Sequence, residues 1–260
     1  MPAKSVFASF SARRAALLFA VLALLPFLLQ SGADAAELKY KFKKGNVEKF
    51  RETRILEYEF AFLGADQKAV TEEELAITET TEKIEEGNAF VKMQTSYIKM
   101  TENGEAVPKS ETPDETFYYS LSPRGRTLAV LDGDKKPEKY FDAKKEKDLL
   151  PAGDVAPGAK WQGLWSFQGE LCKAEYTLEK IITEKGVKLA VIKIAVEDEL
   201  DMEEGDIKAR AKVKGGGTMY FAIDAGEDIL TDTVIVCDLL VDGEPFAKNT
   251  VKIKNRKVEK

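Results

Sequence analysis

Apolar and polar residues alternate at period two over long runs, and this restricts the chain to extended, curling β-structure. Leu56, Tyr58, Phe60 and Phe62 enclose Glu57 and Glu59, as in a strand with one buried and one wet face. Val91, Met93, Thr95 and Tyr97 alternate with Lys92, Gln94 and Ser96. Ile207, Ala209, Ala211 and Val213 alternate with Lys208, Arg210, Lys212 and Lys214, and Val251 and Ile253 with Lys252 and Lys254. Val, Ile, Thr, Tyr and Phe, which fit a pleated surface, concentrate in these runs.

Turn dipeptides punctuate the alternation: Gly87-Asn88, Asn103-Gly104, Asp132-Gly133, Lys185-Gly186, Gly205-Asp206, Ala225-Gly226 and Asp242-Gly243. All suit tight turns with positive φ. In the C-terminal half the turn glycines 186, 205, 226 and 243 lie 19, 21 and 17 residues apart. An immunoglobulin-like sandwich places turns roughly every 8–12 residues. The spacing here predicts strands of about 12–16 residues, roughly 40–50 Å long. Long antiparallel neighbours twist and coil. The predicted class is therefore all-β, a long-stranded antiparallel curved sheet, half-barrel or barrel-like. Residues 66–86 mix helix-favouring Glu and Ala with a Thr cluster and a Leu75/Ile77 alternation; the latter two favour a strand.

The centre of the chain reads differently. One short helix is predicted within 136–150, capped by Asp142, carrying Leu149 and Leu150 on one face and ended by Pro151. Residues 151–160, rich in Pro, Gly and Ala, read as a loop. The expected organisation is a leader over 1–35, an N-terminal β half over 36–135, a helix-and-loop connection over 136–169, and a C-terminal β half over 170–260.

The leader has the marks of a signal peptide. Lys4, Arg13 and Arg14 precede an uncharged apolar run from Ala15 to Leu29, and Ala33-Asp34-Ala35 supplies small residues for cleavage after Ala35. A retained membrane anchor is the alternative, but the run is shorter than the roughly 20 residues a span needs. Removing Lys4, Arg13, Arg14 and Asp34 from 39 basic and 45 acidic residues leaves a mature charge of −8. That charge, with acids and bases interspersed, argues against nucleic acid as a partner. No later segment reaches transmembrane length. The expectation is a periplasmic or secreted protein.

The chain contains no histidine, which excludes Ser-His and Cys-His catalysis and the commonest metal ligand. No cofactor motif is present. Cys172 and Cys237 are the two cysteines; an oxidising compartment allows a disulfide between them, and the alternative is two buried apolar thiols. Trp161, Trp165 and Phe167 read either as pocket lining or as an aromatic plug of the β core. Gly215-Gly216-Gly217 lacks the following helix of a phosphate loop and reads as a bulge or sharp bend. The acidic run from Glu197 to Asp206 does not fit a calcium-loop register and reads as a solvated hairpin tip.

Two segments carry a resemblance: Leu38-Lys39-Tyr40-Lys41-Phe42-Lys43-Lys44-Gly45, and Pro151, Val155, Pro157, Gly158 and Trp161 ahead of long alternating strands. Over about residues 37–255 the chain resembles a group of uncharacterised exported all-β bacterial envelope proteins, similar to the lipoprotein-carrier (LolA-like) half-barrels. The resemblance brings no catalytic residues with it. A curved sheet with one apolar face must cover that face or enclose a cavity. The functional expectation is thus a non-enzymatic exported protein that binds a lipid or other hydrophobic ligand, or an envelope protein partner. The alternatives are a structural or interaction module with a filled core, and a carboxylate-based hydrolase.

Overall fold

Four hairpins close on two-residue turns in which both residues have positive φ. These are Glu86-Gly87, Asn103-Gly104, Lys185-Gly186 and Asp242-Gly243, with φ of 49–52° at the first residue and 82–86° at the glycine. This turn geometry matches the twist of the flanking strands. The computed structural model describes residues 35–62, 65–138, 141–167, 170–204 and 207–258. The predicted leader up to position 34 and the predicted turn at Gly205-Asp206 lie outside the described residues.

The strands are β1 (Ala36–Glu37), β2 (Val47–Phe62), β3 (Ala65–Glu85), β4 (Asn88–Glu102), β5 (Glu105–Ala106), β6 (Glu115–Leu121) and β7 (Thr127–Leu131). They continue with β8 (Asp154–Val155), β9 (Lys160–Phe167), β10 (Glu170–Glu184), β11 (Val187–Glu204), β12 (Ile207–Ala222), β13 (Glu227–Val241) and β14 (Glu244–Lys257). From β10 to β14 they are 14–18 residues long; all but β11, at 18, fall within the 12–16 that the glycine spacing predicts. Residues 66–85 lie in strand, not helix, and Glu86 is in the turn that follows.

One antiparallel sheet runs in the order β7-β6-β4-β3-β2-β14-β13-β12-β11-β10-β9, with β5 beside β4; β1 and β8 form a separate pair. The two halves are continuous, because the last strand returns to β2 with Val251 opposite Leu56 and Lys257 opposite Phe50. Strands β7 and β9 end the sheet, so it curls without closing.

The predicted helix does not form. Among the described residues of 136–150 there are turns but no α-helix. Asp142 does cap, its Oδ1 accepting from the Lys144 N–H at 3.0 Å, but the following backbone is taken by tertiary partners. The Ala143 carbonyl accepts from Arg126, the Leu149 carbonyl from Trp161 Nε1, and the Leu150 N–H donates to the Arg124 carbonyl. Leu150 is buried and Leu149 half-buried against the core without helical bonds. The predicted 136–169 connection also gives up its end to the sheet, since β9 lies within it.

The apolar core sits on the inner face of β10–β14, where Tyr176, Leu178, Ile192, Val213, Phe221 and Ile235 are fully buried. Each such side chain stabilises the fold by about 1.5–3 kcal/mol relative to exposure. The chain after Ala35 joins this core. Leu38 is fully buried; the Tyr40 N–H donates to the Pro123 carbonyl and the Lys41 N–H to the Gly226 carbonyl. The Tyr40 ring meets Phe221 edge-on at 5.4 Å.

Gly215, Gly216 and Gly217 lie mid-strand, paired on both sides without a register shift. No bulge occurs there; the shift falls at Tyr220/Phe221. The glycines serve close approach instead. A Cβ on Gly216 would stand 2.2 Å from the Ile194 carbonyl oxygen, and one on Gly217 2.0 Å from that of Asp232. From Glu197 to Glu204 the acidic run lies in strand, and Asp206 lies outside the described residues. Asp201 pairs with Arg210 at 2.9 Å, and Glu199 reaches Arg210 at 3.7 Å.

Candidate functional site

Cys172 and Cys237 are both buried and are not joined by a disulfide. The expected bond is overturned by topology. Cys172 is on β10 and Cys237 on β13, three strand steps apart. At about 4.8 Å per step that is roughly 14 Å along the sheet, against a Cα separation of at most about 7 Å for a disulfide. Both thiols belong to the apolar cluster.

Trp161 and Trp165 lie on β9, half-buried against the same cluster. Trp161 stacks on Tyr176 at 5.8 Å and donates to the Leu149 carbonyl at 2.8 Å. The Phe167 side chain is outside the described residues. The structure thus places both tryptophans against the core and away from the polar cavity described next.

The alternation that builds an apolar face breaks down in β2 and β3. Registers set Glu48 opposite Glu79, Phe50 opposite Ile77, Glu52 opposite Leu75 and Arg54 opposite Glu73. Carboxylates therefore share the inner face with Leu75 and Ile77. Part of this surplus is balanced, for Arg54 pairs with Glu52 and reaches Glu73 at 3.6 Å. Farther along the strands it converges on a cavity.

That cavity, about 200 Å³, is lined by Tyr40, Phe50, Glu79, Tyr119, Asp228 and Asn255, among others. A smaller pocket of about 60 Å³ adjoins it and adds Glu48 and Glu227. Six parts of the chain contribute. Tyr40 comes from the N-terminal segment, Glu48 and Phe50 from β2, and Glu79 from β3. Tyr119 comes from β6, Glu227 and Asp228 from the start of β13, and Asn255 from β14.

Tyrosines hold the two innermost carboxyls. The Tyr40 hydroxyl donates to Asp228 Oδ2 at 2.8 Å, and Tyr119 hydrogen-bonds Glu79. Lys257 Nζ pairs with Glu48 at 2.6 Å and with Glu227. Asp228 Oδ1 and Asn255 Oδ1 are shut off from solvent and accept no hydrogen bond. Such orphaned acceptors cost roughly 1–3 kcal/mol each when left unmade.

The electrostatics follow from enclosure. Burial pushes Glu79 up to about 7, against the hydrogen bond from Tyr119. Burial also pushes Asp228 up to about 6, against the hydrogen bond from Tyr40 and with help from Glu48 and Glu227. Burial and the neighbouring carboxylates raise both tyrosines well above their ordinary range. Lys257 lies above its ordinary range; burial opposes this, and its hydrogen bonds to Glu227 and Glu48 prevail. Among the described residues no group of three His, Cys, Asp or Glu side chains is arranged to hold a metal ion.

A second concavity, about 840 Å³ and wide open, lies at the far ends of β2, β13 and β14. It is walled by Phe60, Leu239, Leu240, Pro245 and Phe246 with Lys68 and Lys248 at its rim. Among the described residues no helix is long and apolar enough to cross a membrane.

No protein-family model matches the chain, and no curated protein matches it. Among solved structures it is similar to DynF from the dynemicin biosynthesis pathway of Micromonospora chersina, at 11% identity and a TM-score of 0.24, covering 87% of this chain and 85% of that one. It is also similar to Salmonella typhi OmpF in complex with daunomycin, at 7% identity and a TM-score of 0.26, covering 85% and 100% of the two chains. A mutant porin of Rh. blastica aligns at 8% identity and a TM-score of 0.26, covering 82% and 99%. TM-scores at this level carry nothing about the function of this chain.

Proposed function

We propose that this is an exported, non-catalytic β protein that seats a small ligand with an apolar body on the inner face of its curled sheet. The observation that supports it is the cavity beneath Tyr40, which Phe50, Leu121 and Leu230 line together with Tyr40, Glu79, Tyr119 and Asp228. Binding sites are commonly apolar concavities with a few placed polar groups. At about 200 Å³, the cavity is smaller than the roughly 300–1,000 Å³ of sites for drug-sized ligands. It holds the equivalent of about seven waters at about 30 Å³ each. Native mass spectrometry of the protein purified from the exported fraction tests this. A co-purifying adduct of small-ligand mass is the expected result. Protein of bare chain mass, with ordered water filling the cavity in a crystal structure, overturns the reading.

One observation favours a second reading, a hydrolase working through carboxylates. Glu79 and Asp228 line one polar cavity with raised affinity for protons, which is how general acids are prepared. Turnover of ester or glycoside substrates that Glu79→Gln abolishes would favour it over simple binding.

A further inference from the structure

The two ends of the sheet are finished differently. Strand β7 is covered by the chain that follows it. The Glu138 N–H donates to the Val130 carbonyl and the Asp132 N–H to the Lys136 carbonyl, both at 2.9 Å, and Pro137 bridges Leu131. Strand β9 has a neighbour on one side only. Its partner β10 shows which of its backbone groups face outward. The Leu178 N–H and carbonyl bond to Ala159 and Gly158, towards β9, whereas the Lys173 N–H turns the other way, to Asp198 on β11. Even-numbered residues of β10 therefore exchange bonds with Trp161, Gly163 and Trp165, and the N–H and carbonyl groups of Gln162, Leu164 and Ser166 point out past the edge. The Leu164 carbonyl accepts from the Tyr176 hydroxyl at 2.9 Å and keeps a second lone pair. Gln162 and Ser166 are exposed, and Leu164 is half-buried.

Sheet edges are ordinarily guarded by charge, Pro, bulges or brevity. Strand β9 has eight residues and runs beside β10 without a register shift. It contains no Pro, and from Trp161 to Phe167 it carries no charge. The middle of the sheet is unlike this: Glu199, Lys212, Asp238, Lys248, Glu59 and Lys68 stand opposite one another in turn across six strands, their signs alternating. A charged strand laid on β9 finds no counter-charge there, while a neutral one meets no repulsion, and β9 is itself such a strand. We propose that β9 is the interface between two copies of this chain, paired antiparallel about Leu164. In that register Leu164 faces the partner's Leu164 and Gln162 faces the partner's Ser166, each outward N–H meeting an outward carbonyl. These pairs are neutral, and Lys160 lies beyond them. Because β7 is covered, a β9-to-β7 contact that would propagate into a fibre is shut, and the two-fold pair stops at two copies. Addition of a strand to an open edge is an established mode of recognition.

Sedimentation velocity of the mature protein, residues 36–260, from about 1 to 200 µM tests the proposal. A monomer–dimer equilibrium is expected. Leu164→Lys sets two ammonium groups face to face on the axis and is expected to weaken the dimer at least tenfold. Because Leu164 is half-buried, Gln162→Lys with Ser166→Lys is the second variant, at exposed positions. Like charges directly opposite are destabilising, and at least threefold weaker association is expected. Gln162→Lys with Ser166→Glu sets opposite charges across the same pairs and is expected to dimerise at least threefold more tightly than the double-lysine variant. A mere disturbance of the edge would weaken both double variants alike, so equal weakening overturns the register. Monomer at every concentration overturns the proposal, as does a dimer indifferent to all three variants. Capture of an extended peptide by a protein that stays monomeric gives the edge to another partner and overturns it too. None of these outcomes bears on the ligand-binding reading, which native mass spectrometry decides separately.

Discussion

Glu79 sits where the sequence pattern calls for an apolar residue. Leu75 and Ile77 precede it on the same face, and Leu75 is buried. Its folded-state proton affinity, pushed up to about 7 by burial, exceeds the unfolded value near 4.3. The protonated form is thus favoured by folding. The stabilisation is complete below about pH 4 and is lost as pH rises through 7, on the order of 3 kcal/mol. Asp228, raised to about 6, acts in the same direction. Glu79→Gln keeps an acceptor for Tyr119 and removes the titration. Urea unfolding of the two proteins at pH 5 and pH 8 checks this. The variant is expected to gain stability on the wild type by about 3 kcal/mol between those values, and a constant difference would refute the account. Sequence reasoning missed this site. The trace it left was a Glu interrupting an inward-facing run, and no single strand shows that Asp228, Tyr119 and Tyr40 arrive at the same place.

Strand β12 shows how an element depends on its neighbours. Val213, Met219 and Phe221 are buried on one face, and the alternation before Gly215 already marks a strand. The three glycines carry no positive φ, so their role is not backbone freedom. They allow the carbonyls of Ile194, Val234 and Asp232 to come within 2.0–2.2 Å of where a Cβ would stand. Gly216→Ala therefore forces two backbones apart. It is expected to cost at least about 3 kcal/mol, in the range of severe overpacking. Gly45→Ala meets no atom within 4 Å and carries only the strain of its φ of 77°, about 1–2 kcal/mol. Thermal melts of the two variants measure the contrast, and equal melting points would show that the sheet relaxes around the added methyl. The central connection teaches the converse. Its helical propensity is overridden because Arg124, Arg126 and Trp161 take the backbone groups a helix would use.

At the scale of the whole molecule, β14–β2 pairing turns two sequence halves into one sheet. Both tryptophans lie on β9, at the sheet edge reached from the C-terminal half, while Leu75 is buried in β3. If the sheet unfolds as one cooperative unit, Leu75→Ala lowers the midpoint reported by tryptophan fluorescence. Loss of a buried Leu costs about 2–5 kcal/mol. At roughly 2–4 °C per kcal/mol for a domain of this size, the drop is roughly 4–20 °C. An unchanged fluorescence midpoint alongside a shifted far-ultraviolet transition would show that the halves unfold separately.

The sequence by itself determined the strand-dominated class, the presence of long strands and the positions of three tight turns, the fourth falling at Glu86-Gly87, one residue before the expected Gly87-Asn88. Alternation at period two and paired turn residues are local signals, and a hairpin is settled by residues close together in the chain. Only the tertiary structure decided that the cysteines stand three strands apart, that Leu150 is buried without a helix, and that β14 pairs with β2. It also decided that Tyr40, Glu79, Tyr119, Asp228 and Asn255 share one cavity. Those facts depend on contacts between residues far apart in sequence, where sheet order and curl, rather than local propensity, bring buried charge and unmet acceptors together.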